Sequence, residues 1–134
     1  MASDEKIQDF LAEGPFAVVG ASRDRAKYGN KVLRAYLQND REVYPVNPRA
    51  DEVEGLESYA DLAALPRPVR AISIVTPPSI TERVVEQAAE LGIRHIWMQP
   101  GAESDKAVGR AERAGMNVIA GGACALVVQG YHES

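Results

Sequence analysis

Short apolar runs alternate along the chain with segments in which apolar residues recur at helical spacing. This alternation is typical of a parallel sheet that is covered by helices on both faces. The predicted strands are residues 16–20, 42–46, 70–75, 94–98 and 116–120. The predicted helices are residues 4–11, 30–38, 79–91 and 104–114, and residues 56–65 form a short connecting segment. The pattern therefore predicts an α/β fold with a doubly wound, five-stranded parallel sheet of Rossmann type.

Length and connectivity narrow this prediction further. A chain of 134 residues fits one hydrophobic core, so residues 1–134 are expected to form a single three-layer domain. Right-handed crossovers between parallel strands favour the strand order 3-2-1-4-5. Ligands of such sheets bind beyond the carboxyl ends of the strands, where the strand order reverses, which here is between strands one and four. The loops that follow the strands are therefore the expected functional region.

Three serines stand where a helix or turn could begin. Ser3 precedes the first helix, Ser58 lies in the connecting segment, and Ser79 precedes an apolar helical repeat. Glu82 follows Ser79 by three residues, as in a capping box. Each serine is predicted to be a cap, because its side chain can accept a hydrogen bond from a free backbone N–H at a helix start.

The overall charge and composition exclude several classes of partner. The net charge is -4, whereas nucleic acids and anionic membranes need a broad basic face. No run approaches the roughly 18 apolar residues of a membrane span. The single cysteine, Cys124, excludes an internal disulfide and a site built from several cysteines, and it suits a reducing compartment. We therefore expect a cytoplasmic protein whose main partner is neither a nucleic acid nor a membrane.

The loop after strand one carries small and basic residues. Gly20, Ala21 and Ser22 would let backbone N–H groups and the start of the next helix approach a phosphate closely. Arg23 and Lys27 add positive charge to the same loop of an acidic protein. The alternative is that a strand-to-helix turn favours glycine, and a surface loop favours charge, whatever the function. A valine at Gly20 is expected to block a phosphate and to leave most of the fold intact.

The loop after strand two reads Asn47-Pro48-Arg49. Proteins that bind NAD usually place a carboxylate here for the ribose 2′-hydroxyl, and Ser22 replaces the second glycine of their fingerprint. The dinucleotide fingerprint is therefore incomplete. Arg49 instead suits a phosphorylated ribose, although an ordinary solvated arginine explains it equally well.

The loop after strand three reads Thr76-Pro77-Pro78. The two prolines have no backbone N–H and a fixed φ, so they form a rigid apolar shelf suited to an adenine ring. The alternative is that they only end the strand before the next helix.

Strand four leads into Trp97-Met98-Gln99-Pro100-Gly101. This segment combines an aromatic ring, an amide and a tight turn beside the expected ligand site. Trp97 is expected in the core, whereas Gln99 lies where the chain leaves the sheet and is the better candidate for a ligand contact.

Groups able to carry out catalysis are few. His95 and His132 lie near no nucleophile or carboxylate pattern, and we expect them to be structural or solvated. Two histidines and one cysteine so placed offer no metal-ligand spacing. Cys124 follows two glycines that could turn its thiol toward the pocket, whereas its apolar neighbours favour a packing role.

Five segments, taken in chain order, resemble one known family. They are Val18-Val19-Gly20-Ala21-Ser22, Val46-Asn47-Pro48, Thr76-Pro77-Pro78, Trp97-Met98-Gln99-Pro100-Gly101 and the late Cys124. Together they are similar to the stand-alone CoA-binding proteins that are related to the first domain of the succinyl-CoA synthetase alpha subunit. The likeness spans nearly the whole chain.

The resemblance implies a Rossmann-like domain with coenzyme A as its ligand. The contacts that it implies are Gly20, Ala21, Ser22 and Arg23 at the phosphates, Arg49 as a basic contact, Pro77 and Pro78 beside the adenosine, and Met98, Gln99 and Pro100 after strand four. The phosphohistidine of the synthetase lies in a further domain, so its ligase chemistry does not carry over. This chain departs from the relatives in the apolar residues around Cys124 and in Arg23, where many relatives have proline or a small residue.

The expected function is that of a non-catalytic module that binds CoA or an acyl-CoA. One alternative is an oxidoreductase or redox-sensor module that binds NAD(P), and another is an interaction domain without a ligand, homodimeric through residues 125–128. The expected partner is the small-molecule ligand, with a monomer or homodimer as the assembly and an acyl-CoA-pathway protein as a possible further partner.

Overall fold

The computed structural model describes residues 4–133, so the predicted cap Ser3 lies outside the described residues. In chain order the elements are α1 (Asp4–Leu11), β1 (Phe16–Val19), α2 (Tyr28–Gln38), β2 (Val43–Val46), β3 (Glu52–Val53), β4 (Leu56–Glu57), a 3-10 turn (Leu62–Ala64), β5 (Ala71–Ile74), α3 (Pro78–Glu90), β6 (His95–Met98), α4 (Asp105–Arg113), β7 (Asn117–Ile119) and α5 (Ala125–Val128). The predicted strands and helices are all present, with ends shifted by one or two residues.

The five long strands form one parallel sheet in the order β2-β1-β5-β6-β7, and β3 pairs with β4 in a separate hairpin. The predicted fold class, a five-stranded parallel α/β sheet, is confirmed. The predicted strand order 3-2-1-4-5 is wrong, because the third long strand, β5, pairs with β1 and not with β2. Numbered among the long strands alone, the order is 2-1-3-4-5.

The outer edge of β2 explains this difference. The backbone of Tyr59 occupies that edge: its N–H donates to the Pro45 carbonyl at 3.1 Å, and its carbonyl accepts from the Asn47 N–H at 2.9 Å. The chain then crosses over β1, and β5 joins the free edge on the other side. The strand order therefore reverses between β1 and β5, which are the first and third long strands. The predicted place of this switch point was between the first and fourth long strands.

Side chains from alternate strand positions fill two apolar layers, one on each face of the sheet. Ala17, Ile72 and Ile96 pack against α3, α4 and the 3-10 turn. Val18 and Trp97 lie on the other face with side chains from α1, α2 and α5. The expected core position of Trp97 is confirmed, since it is fully buried. Complete burial of a valine or isoleucine side chain stabilises a fold by about 1.5–3 kcal/mol.

The predicted capping box at Ser79 is wrong. Helix α3 begins at Pro78 after Pro77, and no side chain caps it. Proline is favoured at this first position because its fixed φ suits a helix and its missing N–H would have no partner there. Glu82 does not reach back to the helix start; its carboxylate accepts a hydrogen bond from Ser104 Oγ at 2.9 Å.

The connecting segment also begins differently from the prediction. Ser58 caps no helix, because its hydroxyl donates to the Asn47 carbonyl at 3.2 Å. Asp61 caps the 3-10 turn instead, and its carboxylate accepts from the Ala64 N–H at 3.1 Å.

None of the helices between Asp4 and Glu133 has the length and apolar character needed to cross a membrane.

Candidate ligand-binding site

A two-part cleft opens at the carboxyl ends of the strands. Its larger cavity, about 800 Å³, lies among the loops that follow β1, β2 and β5. Its smaller cavity, about 550 Å³, lies between the loops after β5 and β6 and the segment before α5. Both cavities share Tyr28, Val75, Thr76 and Pro77 in their walls. Each has a volume typical of small-molecule sites.

Most of the residues predicted for the site do line this cleft. In the larger cavity they are Gly20, Ala21, Ser22, Lys27, Asn47, Pro48, Arg49, Thr76 and Pro77. In the smaller cavity they are Thr76, Pro77, Pro100 and Cys124. The structure thus brings together loops that are separated by up to about 100 positions in the chain, because parallel strands end at the same edge of the sheet.

Four predicted residues lie outside the cleft lining. Arg23 and Pro78 are exposed beside it. Met98 is fully buried in the core under α3 and α4. Gln99 is also fully buried, and its side-chain oxygen accepts hydrogen bonds from the Ala125 N–H at 2.8 Å and from the Tyr28 hydroxyl at 3.3 Å. Gln99 therefore supports the wall of the smaller cavity from behind.

The loop after β1 presents backbone N–H groups. Its carbonyls are engaged by side chains: Asn47 Nδ2 donates to the Ala21 carbonyl and Asn30 Nδ2 to the Ser22 carbonyl, each at 2.8 Å. Within residues 4–133, the N–H groups of Ala21, Ser22 and Arg23 donate no hydrogen bond. Unpaired amides beside a cavity suit an anion.

Helix α2 starts at the same place. Lys27 is its N-cap residue and makes no side-chain capping bond, so the positive end of the helix dipole is open toward the larger cavity. A Cβ on Gly29 would lie 2.1 Å from the Gly20 carbonyl oxygen. Only glycine therefore lets the helix start this close to the end of β1.

Gly20 itself has a role that the sequence did not reveal. Its φ is +97°, and a Cβ there would lie 2.1 Å from the Val75 carbonyl oxygen. The expectation that a valine at Gly20 leaves the fold mostly intact is wrong, because the ends of β1 and β5 approach each other too closely for any side chain. A loss of ligand binding in such a variant would not separate the site from the fold.

Three exposed cations border the loops of the larger cavity. Arg23, Lys27 and Arg49 make no ion pair with any described residue. The backbone N–H of Arg49 donates to Asn47 Oδ1 at 2.8 Å, which fixes the turn that carries this arginine. Arg25, in contrast, is engaged in an ion pair with Glu54 at 3.3 Å.

Sequence reasoning missed several residues that line the larger cavity. They are Tyr28, Gly29, Val46, Ala60, Asp61, Leu62, Val75, Ile80, Val84 and Gln87, together with Val19. Several come from the 3-10 turn and α3, which border the cleft only because β5 lies beside β1. No local motif marks them, so the correct strand order is the signal that would have found them.

Cys124 lines the smaller cavity. Its Sγ is 2.6 Å from the Tyr28 hydroxyl, and either atom could be the donor. Burial, and then the contact with Cys124, raises the pKa of Tyr28 well above its usual range, so this hydroxyl stays protonated at neutral pH. Cys124 is partly exposed and free of a disulfide. The structure therefore places the thiol in the cavity wall.

Neither histidine lines the cleft. His95 lies at the amino end of β6, where its Nε2 is 3.7 Å from a Glu13 carboxylate oxygen, and burial lowers its pKa. The backbone N–H of His132 donates to the Gln38 side chain at 3.1 Å. In the described part of the chain, no three histidine, cysteine or carboxylate side chains are grouped as metal ligands.

The sequence of this chain is similar to those of known proteins. The alpha subunit of the ADP-forming acetate–CoA ligase II of Pyrococcus furiosus is 32% identical over 81 residues, which are 60% of this chain and 18% of that protein. The chain therefore spans less than a fifth of the length of this curated relative.

Solved structures show the same likeness. A protein from Pyrococcus horikoshii superposes with a TM-score of 0.87 at 30% identity, over 93% of this chain and 88% of that one. The apo form of a dinucleotide-forming acetyl-coenzyme A synthetase 1 of Ca. Korarchaeum cryptofilum gives a TM-score of 0.67 at 33% identity, over 77% of this chain and 25% of the synthetase.

The family model of the CoA binding domain matches residues 15–129. This range contains the sheet and every loop of the cleft, and it confirms the family resemblance inferred from the five sequence segments. The chain thus belongs to the CoA binding domain family.

Proposed function

We propose that this protein binds CoA or an acyl-CoA across both cavities of the cleft. The diphosphate and adenosine occupy the larger cavity, and the pantetheine arm runs through the smaller cavity toward Cys124. The observation that carries this proposal is that two cavities lie side by side and share Tyr28, Val75, Thr76 and Pro77. Unpaired amides and cations border the larger cavity, whereas mostly apolar residues and a thiol line the smaller one. CoA has the same order of chemical groups along its length.

The phosphate contacts follow from the loop after β1. The free N–H groups of Ala21, Ser22 and Arg23 are donors for phosphate oxygens, and the open start of α2 favours negative charge. Ser22 Oγ accepts from the Asp24 N–H at 3.1 Å, which leaves the hydroxyl proton for the ligand. Lys27 supplies charge from the cavity wall.

The adenosine contacts follow from the other walls of the larger cavity. Pro77 gives an apolar surface for the ring, with Ile80 and Leu62 nearby in the same lining. Arg49 lies on the loop after β2, where it can bind the phosphate on the ribose of CoA.

We further propose that the chain carries out no reaction by itself. Both histidines lie away from the cleft, and the ligase alpha subunit named above is more than five times longer than the segment that matches this chain. We propose a cytosolic location, where the Cys124 thiol stays reduced, and a monomer or homodimer that presents CoA to a protein of acyl-CoA metabolism.

Calorimetric titration with CoA, acetyl-CoA, NAD and NADPH tests the proposal. We expect CoA and acetyl-CoA to bind at least about tenfold more tightly than either dinucleotide, a difference of about 1.4 kcal/mol. NAD should bind weakly because Asn47-Pro48-Arg49 stands directly after β2, where proteins that bind NAD place a carboxylate for the ribose. NADPH has a ribose phosphate that suits Arg49, but it lacks the pantetheine arm that the smaller cavity is proposed to hold. Tighter binding of NADPH would favour a redox module, and no binding of any of the four would favour an interaction domain.

A further inference from the structure

Two polar side chains on α2 are buried against the loop after β1 and touch no ligand cavity. Asn30 is fully buried and Arg34, one helical turn later, is 6% exposed. Arg34 Nε donates to Asn30 Oδ1 at 2.7 Å, so the two side chains form one unit. Buried polar groups are costly unless they are hydrogen-bonded. Asn30 and Arg34 donate hydrogen bonds to carbonyls of the loop, and also to the carboxylates of Glu54 and Glu133 respectively.

Each member of the pair holds a different carbonyl of the loop. Asn30 Nδ2 donates to the Ser22 carbonyl at 2.8 Å, and Arg34 Nη2 donates to the Arg25 carbonyl at 2.8 Å. The Asn30 amide therefore holds the loop at Ser22, and the Arg34 guanidinium holds it at Arg25. A guanidinium is suited to this because its donors are fixed in one plane.

The direction of these hydrogen bonds determines which backbone N–H groups of the loop point toward the cleft. A peptide unit points its C=O and its N–H in opposite directions, so a carbonyl held against α2 turns the N–H of the following residue the other way. The Ser22 carbonyl and the Arg23 N–H belong to one such unit. The Arg23 N–H has no partner among residues 4–133, which is the state that a phosphate needs.

We infer that Asn30 and Arg34 are a positioning pair that holds the loop after β1 so that the Arg23 amide faces the phosphates. This inference rests on the function proposed above. Arg34 acts through the loop and not by direct contact with a ligand, since its guanidinium lines neither cavity and pairs with Glu133 at 3.4 Å, and it lies 5.4 Å from the centre of the Tyr131 ring. It therefore differs from Arg49, whose side chain has no protein partner in the described range.

The test compares three variants of the full chain, Arg34→Met, Arg34→Lys and Arg41→Met. Arg41 is a matched control, because it is also partly buried and bonds the chain near the C-terminus, through Gln129 Oε1 at 3.1 Å, without contacting the loop. We expect both Arg34 variants to lose at least about tenfold in CoA affinity, since hydrogen bonds that involve a charged group contribute about 1.5–3 kcal/mol. Arg41→Met should bind CoA as the wild type does.

Hydrogen exchange of the Ala26 and Lys27 amides gives a readout that needs no ligand. Both amides bond within the loop, to Asp24. We expect them to exchange faster in both Arg34 variants than in Arg41→Met at matched thermal stability. Wild-type affinity in Arg34→Lys would overturn the inference, as would unchanged exchange in Arg34→Met. If the wild type binds no CoA, the proposed function fails, and the exchange rates alone then decide on the positioning pair.

Discussion

The backbone of Arg49 is held in a turn, whereas its side chain makes no ion pair with any described residue. The hydrogen bond from its N–H to Asn47 Oδ1 shapes the turn, and Asn47 also binds the Ala21 carbonyl, so one asparagine joins the loops after β1 and β2. An exposed arginine contributes little to folding stability. Its effect should therefore appear in ligand binding and not in the free energy of unfolding.

We expect Arg49→Ala to weaken CoA binding roughly five- to tenfold, the loss of one charge-assisted contact to phosphate. Dephospho-CoA, which lacks the ribose phosphate, should bind the wild type more weakly than CoA and be almost insensitive to the substitution. Calorimetry with both ligands measures this, and Arg94→Ala, exposed at the opposite end of the sheet, is the control. Equal affinities for both ligands, with no loss in Arg49→Ala, would remove Arg49 from the site.

Cys124 offers a direct probe of the other end of the cleft. Its Sγ lines the smaller cavity, so we expect iodoacetamide to alkylate it and saturating CoA to slow the reaction. Intact-mass spectra over time measure the modification, and Cys124→Ser should remain unlabelled. Incubation with CoA disulfide distinguishes a packing role from covalent capture, because only capture gives an adduct of CoA mass that Cys124→Ser lacks. Alkylation at the same rate with and without CoA would contradict the proposed path of the pantetheine arm.

At the scale of elements, the start of α2 is the feature on which the cleft depends. The helix begins against the end of β1, and the contact between Gly29 and the Gly20 carbonyl leaves no room for a side chain. Gly109, inside α4, differs in this respect, because a Cβ there would meet only the flexible end of Arg113 at 3.2 Å. The two helical glycines therefore form a natural pair for comparison.

We expect Gly29→Ala to lower the free energy of unfolding by about 2 kcal/mol, since the backbone must shift to make room. Gly109→Ala should raise it by up to about 1 kcal/mol, because alanine loses less conformational freedom in a helix than glycine does. Urea unfolding followed by circular dichroism measures both. Equal effects of the two substitutions would show that α2 does not pack on β1 as described.

The periodic elements could be predicted from the sequence, and the strand order could not. Residues 71–74 and 95–98 carry enough apolar side chains to mark strands by themselves, as do the helical repeats of α2 and α3. Strands β3 and β4 have two residues each and leave no periodic pattern. The position of β5 depends on the pairing of Tyr59 with the edge of β2, which is a long-range contact without a local signal.

The same distinction applies to the candidate site. Gly20, Asn47 and Thr76 follow strands, so their presence at one edge of the sheet could be predicted from the parallel arrangement alone. Ile80 enters the cleft from α3, whose position depends on the strand order, and Tyr28 enters from the first turn of α2. Gln99 was predicted as a ligand contact from its place in the chain, but its hydrogen bonds to Tyr28 and Ala125 place it behind the wall.

On the scale of the whole molecule, the distribution of charge matters more than its sum. The chain carries a net charge of -4, yet Arg23, Lys27 and Arg49 gather at one end of the sheet without acidic partners among residues 4–133. The net negative charge of the chain repels a phosphate at long range, whereas these three cations attract it at short range. Salt screens both the long-range repulsion and the short-range attraction.

We expect the dissociation constant of CoA to rise several-fold between about 0.1 M and about 1 M salt, as the Debye length falls from about 10 Å to about 3 Å. The exposed cations around the larger cavity are screened, whereas the amides of the first loop are fixed dipoles at short range. Titrations across this range measure the slope, which should be smaller for Arg49→Ala than for the wild type. A dissociation constant independent of salt would mean that the cations do not meet the phosphates.

The wall that the two cavities share has a consequence for how tightly a ligand can bind. A molecule that spans both cavities behaves as two tethered fragments, because once one end is bound the other is confined beside its own subsite at a high effective concentration. The loss of translational and rotational freedom is then incurred once and not twice. A nucleotide that fills only the larger cavity would use the same phosphate contacts as CoA and still be displaced by it. Selectivity for the intact coenzyme over free nucleotides would thus arise from the wall that the cavities share at Tyr28 and Pro77, without any contact that discriminates between their bases.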